Sequence, residues 1–266
     1  MTPVGDPGAR PGESHHRAAF GRYLEGLAGS WRGLAAAHPS ASVVQLPGLL
    51  AMLHPNPVLV NAALLDPRLL HDALDLFAES SAFAVWTLSE DQETGAAVRS
   101  SGLVPDTTTR PMVRSPDLPP PSAVTGVELD VDPVRVCRIN GVDPDLLSGV
   151  PGLRCFATAD DTSGLVVQDV GEDVVLSFVA TRPEARGRGL ATVVTTAALR
   201  DAAERRKQAA VLQATAAAER IYARLGFVAV GRWQEWVPSP ASSGDRTVER
   251  FRSAGSAAAA AARTVR

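Results

Sequence analysis

Residues 182–191 read RPEARGRGLA, three arginines and two glycines set between the aliphatic run VVLSFVAT and a stretch of helical composition. A strand that feeds a glycine-bearing turn and then a helix aims several unpaired backbone N–H groups at one point, and the helix dipole reinforces them. Gly187 and Gly189 let a ligand approach the backbone, and Ala191 keeps the first helical turn thin. Arg186 and Arg188 add planar guanidinium forks suited to phosphate oxygens. The chemistry this spacing serves is the holding of a phosphate ester. A nucleotide P-loop would need a lysine followed by Ser or Thr after its glycines, and a dinucleotide fingerprint would need three glycines and a later acidic residue. Neither pattern is present. A second residue able to do chemistry is Tyr222, the one tyrosine in the later part of the chain. It can pack on a helix face with Ile221 and Leu225, or it can supply a proton.

The elements that must position these residues follow from periodicity. The segment RAAFGRYLEGLAGSWRGLAAAH puts Phe20, Tyr23, Leu24, Leu27, Trp31 and Leu34 on one stripe of a helix. Proline-separated apolar runs at Val43–Leu46, Leu49–Leu53 and Val58–Leu64 suit strands. Pro67 opens a helix, AFAVWTL is a strand, Asp91 caps a second helix, and GLVPDTTTRPMV is a further strand. Later come strands near 124–131, 154–159, 165–169 and 174–180, and a short helix near 134–139. The turn itself, a helix over 189–206, the strand AAVLQA, a helix over 217–225 and a closing strand over 227–236 complete the order. This is a mixed α/β chain with antiparallel hairpins first and a strand–helix–strand crossover after.

Consecutive prolines in RSPDLPPPS cannot join a helix interior or a central strand, so residues 114–122 are expected to be a linker. The domain organisation expected is a disordered leader (1–13), an N-terminal α/β domain (14–113), the linker, a second domain (123–238) and a flexible Ala/Ser-rich tail (239–266). The segments AFAVWTLSEDQETGAAVRSSGLVP and AAVLQATAAAERIYARLGFVAV share one order of strand, polar break, helix, glycine and strand. The two domains thus read as unequal copies of one fold. Aligned on Gly102 and Gly226, the first has Val98 where the second has Tyr222, and it lacks the glycine–arginine turn.

Composition narrows the class. A net charge of −3 over 266 residues argues against a broad nucleic-acid or anionic-membrane surface. Cys137 and Cys155 are too few for a disulfide framework or a cysteine zinc site, and they read as inert small hydrophobes. No secretory signal or twenty-residue apolar span is legible, so a cytoplasmic location is expected, without metal, nucleic-acid or membrane partners. Oligomeric state is not encoded in any motif.

The stretch Arg186-x-x-Gly189-x-Ala191 after VATRPEA resembles the acyl-CoA pyrophosphate loop of the GCN5-related N-acetyltransferases (GNAT). LQATAAAERIYARLGF, with Tyr222 and Gly226-Phe227, resembles the later part of that family's core. The resemblance covers residues 123–237, and the whole chain is similar to tandem-domain members with a degenerate first copy. It implies a GNAT fold, a central mixed and mainly antiparallel sheet flanked by helices. It also implies an acetyl-CoA-dependent N-acetyltransferase acting on an amine-bearing acceptor. By this resemblance Arg186, Gly187, Arg188, Gly189, Leu190 and Ala191, with Thr192 adjacent, would bind the CoA pyrophosphate. Val179, Ala180 and Thr181 would pair with pantetheine, the Val179 N–H would polarise the thioester carbonyl, and Tyr222 would protonate the leaving thiolate. Thr215 stands where many members carry a cofactor-contacting asparagine.

The general base is not legible. All five histidines, His15, His16, His38, His54 and His71, precede the proline-rich stretch. A histidine would have to cross from the first domain, or Glu235 or Asp169 would act through water, or the amine would arrive deprotonated. Trp233 and Trp236 read as sheet packing or as walls of an acceptor pocket, and Glu219 and Arg220 as exposed helix charges. A rival reading is a CoA-binding sensor or interaction protein without transfer.

Overall fold

A computed structural model describes residues 11–80, 82–115 and 117–239. The long helix α1 (Pro11–Ala36) is followed by β1 (Ser42–Leu46), β2 (Leu49–Leu53), β3 (Asn61–Leu64), α2 (Leu70–Leu76), β4 (Ala84–Leu88), α3 (Gln92–Ser100) and β5 (Leu103–Arg114). The second half holds β6 (Val127–Leu129), α4 (Pro133–Asn140), β7 (Leu153–Thr158), β8 (Ser163–Val170), β9 (Asp173–Thr181), α5 (Leu190–Glu204), β10 (Ala210–Thr215), α6 (Glu219–Arg224), β11 (Phe227–Ala229) and β12 (Trp233–Pro238). The expected leader residues Pro11, Gly12 and Glu13 thus belong to α1, while residues 1–10 and most of the expected tail, 240–266, lie outside the described residues.

One twelve-stranded sheet runs β1-β2-β3-β4-β12-β5-β10-β9-β8-β7-β6, with β11 also on β5. Its only parallel pairings among the described residues are β3 with β4 and β9 with β10. Each parallel pair is joined through a helix, α2 or α5, and each is followed by a second helix and a strand. The closing strands are exchanged: β5 of the first half lies against β10, and β12 of the second half lies against β4. The two halves therefore share one sheet. The proline-rich stretch is strapped down, because Arg114 donates to the carbonyls of Leu118, Pro119 and Leu225, and Arg200 donates to that of Pro121.

The expected single closing strand is divided into β11 and β12. The break falls opposite Pro111, which has no N–H for the ladder, and Val230 N–H donates to the Pro111 carbonyl at 2.8 Å. The expected strand over Val58–Leu64 likewise begins as a 3₁₀ turn at Pro57–Leu59, capped by Asn56.

α1 carries four interior glycines, each costing a helix about 1 kcal/mol relative to alanine. Three of them, Gly26, Gly29 and Gly33, are required by packing. A Cβ at Gly26 would lie 2.6 Å from Val211 Cγ2, and at Gly29 and Gly33 it would overlap Val170 and Gln168. The helix therefore lies unusually close on β8 and β10. Arg22 forks onto Asp173 at 2.6 and 2.7 Å and fixes its near end. Under α1 lies a core of Tyr23, Trp31, Val175, Phe178, Val211 and Trp233. A second core under α5 and α6 includes Leu176, Val179, Leu212 and Tyr222.

Candidate functional site

β9 and β10 pair in register only from Val174–Leu176 against Ala210–Leu212, although the two strands continue to Thr181 and Thr215. Past Leu212 they part. The parting coincides with a bulge against β8, between Gly164 and Val166, that absorbs an extra residue at Phe178. Phe178 has φ +51°, a left-handed conformation that costs a bulky residue about 1–2 kcal/mol. It is held there by burial and by Asn140 on α4, whose Nδ2 donates to the Phe178 carbonyl at 2.8 Å and the Val136 carbonyl at 2.9 Å. Asn140 Oδ1 is buried with no hydrogen-bond partner among the described residues. Strain of this kind persists where surrounding structure over-determines it and clusters at ligand sites.

At the C-terminal end of β9 comes the turn. Gly187 and Gly189 adopt φ +77° and +76°, and a Cβ at either would meet nothing within 4 Å. The glycines are thus needed for backbone conformation, and the space above them is open. Gly189 caps α5 without any side-chain hydrogen bond, so the first-turn amides of Leu190, Ala191 and Thr192 are not covered by a capping side chain. Arg186 Nε donates to the Thr181 carbonyl at 3.3 Å and braces the turn. Arg188 is exposed and has no ion-pair partner among the described residues, and Arg182 Nε is buried without a hydrogen bond. The turn combines uncapped amides with surplus positive charge, the features of an anion site.

Tyr222 lies on α6, below the parting strands. Its ring meets Phe227 edge-on at 5.9 Å, and burial raises its hydroxyl above the ordinary tyrosine range, so it carries its proton at neutral pH. On the opposite face Tyr23, from α1, lines the same cleft. Its hydroxyl donates to Gln213 Oε1 at 2.7 Å and accepts from Trp233 Nε1 at 3.3 Å, and Gln213 in turn donates to Thr109 Oγ1 at 2.7 Å. Burial raises the Tyr23 hydroxyl as well. Val179 and Thr215 line this cleft too, and Thr215 Oγ1 accepts from Ala218 N–H at the start of α6. Ala180 and Thr181 stay on the β8 ladder, where Ser163 Oγ donates to the Ala180 carbonyl. Periodicity had placed Tyr23 in an apolar stripe. Asn140, Phe178 and Gln213 carried no sequence signal, because what singles them out is strand register.

The candidate bases fare unequally. Asp169 is at the far end of β8 and β9 from the turn, beside the reversal at Gly171. Burial would raise its carboxyl, but hydrogen bonds from Arg205 and Lys207 outweigh that and hold it below the usual range. It is a structural ion-pair member. Glu235 is fully buried on β12 in register with Trp86 of β4. His38 and His54 face each other, ring centres 5.5 Å apart, in a separate pocket with Asp143 and Asp145. His71 is exposed beside Asp75, and His15 and His16 are exposed on α1, so among the described residues no histidine or carboxylate lines the cleft. Trp236 packs away from the cleft, its Nε1 on Thr87 Oγ1 and its ring under Arg99. Glu219 proves to be partnered, 3.3 Å from the mostly buried Arg110. Among the described residues no His/Cys/Asp/Glu group could hold a metal ion, and no helix is long and apolar enough to cross a membrane.

The sheet's parallel pair β9 and β10 thus parts beside a glycine turn whose following helix has no side-chain cap. Residues 153–236 match the family model described as the acetyltransferase (GNAT) domain. The fold is shared with solved structures. A GCN5-related N-acetyltransferase from Kribbella flavida superposes with a TM-score of 0.61 at 20% identity, over 88% of this chain and 97% of that one. A GNAT-family protein from Novosphingobium aromaticivorans gives 0.54 at 18% identity over 81% and 95%. A glucosamine N-acetyltransferase region of a fungal multi-domain β-N-acetylglucosaminidase gives 0.51 at 13% identity over 74% and 31%. No curated protein matches the sequence.

Proposed function

We propose that the protein is an acetyl-CoA-dependent N-acetyltransferase that moves the acetyl group directly from the CoA thioester to a primary amine. The observation that carries this reading is the parting of β9 from β10 after Leu176 and Leu212, above the uncapped turn at Gly187 and Gly189. Backbone groups freed along the edge of β9 that faces β10 offer a pantetheine arm hydrogen-bonding partners, and the turn offers amides and Arg188 to a pyrophosphate. The proposed contacts are Val179, Ala180 and Thr181 for pantetheine, Arg186 to Thr192 for the pyrophosphate, and Thr215 at the cleft's edge.

In the reaction proposed, the amine nitrogen forms a bond to the thioester carbon and the C–S bond breaks. The Val179 N–H, beside the bulge, would stabilise the carbonyl oxygen as charge develops on it. Tyr222, protonated at neutral pH as any tyrosine is, would give its proton to the departing thiolate and recover one from solvent. The amine proton leaves through water, since no histidine or carboxylate among the described residues lines the cleft. The strand–helix–strand units of the two halves support a duplicated fold. Beside the first half's parallel pair, Thr87 of β4 accepts a hydrogen bond from Trp236 of β12, and the loop after β3, residues 65–69, has no glycine. The second half is the catalytic one in this reading.

The lining of the cleft by uncharged side chains among the described residues favours one alternative, a CoA-binding protein that performs no transfer. Calorimetric titration of acetyl-CoA into the full chain tests both readings, followed by thiol release with a set of primary amines. Saturable binding with amine-dependent thiol release supports the transferase. Binding without release supports the alternative, and absence of binding overturns both.

A further inference from the structure

The cleft has two ends of different character. The end nearer α6 holds Tyr222, and the opposite end is closed by α1 through Leu27, Trp31 and Leu34, with Phe178 beside them. Among the described residues, none of the side chains that line it is charged. The cleft as a whole encloses about 50 Å³, where a single water needs roughly 10–15 Å³, so a few heavy atoms fit between its two ends.

Building on the CoA reading, we propose that this closed end is an acyl pocket for short uncharged aliphatic chains longer than acetyl, such as propionyl and butyryl, and that α1 of the first half is its specificity wall. With the leaving sulfur on the Tyr222 side, the acyl tail points to the opposite face of the sheet, where α1 lies. An ammonium or a carboxylate entering there would lose its hydration without meeting a counter-charge. A methylene entering there gains contact with Leu27 and Trp31 in exchange for water. The acceptor amine and dicarboxylic acyl groups are therefore excluded from this end, and an alkyl tail is favoured.

The test is calorimetric titration of the full chain with CoA, acetyl-CoA, propionyl-CoA, butyryl-CoA and succinyl-CoA. Each buried methylene is expected to tighten binding by about fourfold, so butyryl-CoA binds roughly tenfold or more tighter than acetyl-CoA. Succinyl-CoA, of the same chain length but carrying a carboxylate, binds more weakly than butyryl-CoA by at least that factor. Leu27→Phe fills the pocket and brings the butyryl-to-acetyl affinity ratio to one or below. Affinity that is flat or falling from acetyl to butyryl overturns the proposal, as does succinyl-CoA binding on a par with butyryl-CoA. If Leu27→Phe fails to fold, the unsubstituted series still decides. Binding of CoA without chain-length dependence rejects the acyl pocket alone, whereas failure of CoA itself to bind rejects the underlying CoA reading.

Discussion

Tyr23 and Gln213, 190 positions apart in the sequence, share a 2.7 Å hydrogen bond at the place where β10 has left β9. The donor comes from the first helix and the acceptor from the second half's parallel strand. The wall of the cleft is thus built by both halves, and α1 is pinned over it at Arg22 and by its glycines.

Tyr222→Phe keeps the ring packed on Phe227 and removes only the hydroxyl. Turnover is expected to fall by roughly 10² to 10⁴, with acetyl-CoA affinity changed less than about threefold. Steady-state kinetics beside calorimetry measure the two separately, and unchanged turnover would leave Tyr222 a packing residue.

Gly189→Val places a β-branched side chain at φ +76° in the cap of α5. Strain of about 1–2 kcal/mol is expected in urea unfolding, together with loss of acetyl-CoA binding by at least tenfold as the turn closes over its own amides. A variant that binds normally would separate the turn from the cofactor.

Gly29→Ala sets two effects against each other. Helix propensity would stabilise α1 by about 1 kcal/mol, whereas the added methyl overlaps Val170 Cγ1, a branched side chain with little room to yield. Overpacking of about 1–3 kcal/mol is expected to win, giving a lower urea midpoint than wild type. A higher midpoint would show that α1 can lift from β8.

A chain beginning at Ser122 keeps every residue of the turn and Tyr222 but lacks β5 and α1. Ala210–Thr215 then has an open edge where Leu103–Arg114 paired, and Trp233 and Phe178 lose their cover. We expect it to aggregate or to unfold without a cooperative transition, measured by circular dichroism against urea. A cooperative, CoA-binding fragment would show that the second half folds alone.

Acid should act through Asp169. Its folded carboxyl lies below the ordinary range because Arg205 and Lys207 outweigh its burial, so on acidification the unfolded chain takes up the proton first. Its contribution is therefore complete at neutral pH and is lost as pH falls below about 4. Asp169→Asn is expected to be less stable than wild type at pH 7, with the difference shrinking by pH 3. A difference that persists in acid would contradict the ion-pair account.

The turn was legible in the sequence because its chemistry is local. Glycines at two left-handed positions, arginines beside them and a following helix lie within ten residues, and the same holds for the Asp91 cap and for Tyr222 ahead of Gly226-Phe227. The mixed α/β order followed from periodicity for the same reason. What the tertiary structure alone decided is non-local. The exchange of β5 and β12 depends on pairing between strands about a hundred residues or more apart, which no window of sequence reports. The bulge at Phe178 exists only as a slip against β8, and its support by Asn140 spans 38 positions. Tyr23 looked like one more apolar position of an amphipathic helix. Only the close seating of α1 on the sheet, permitted by Gly26, Gly29 and Gly33, brought its hydroxyl to Gln213 and made the first half a wall of the second half's cleft.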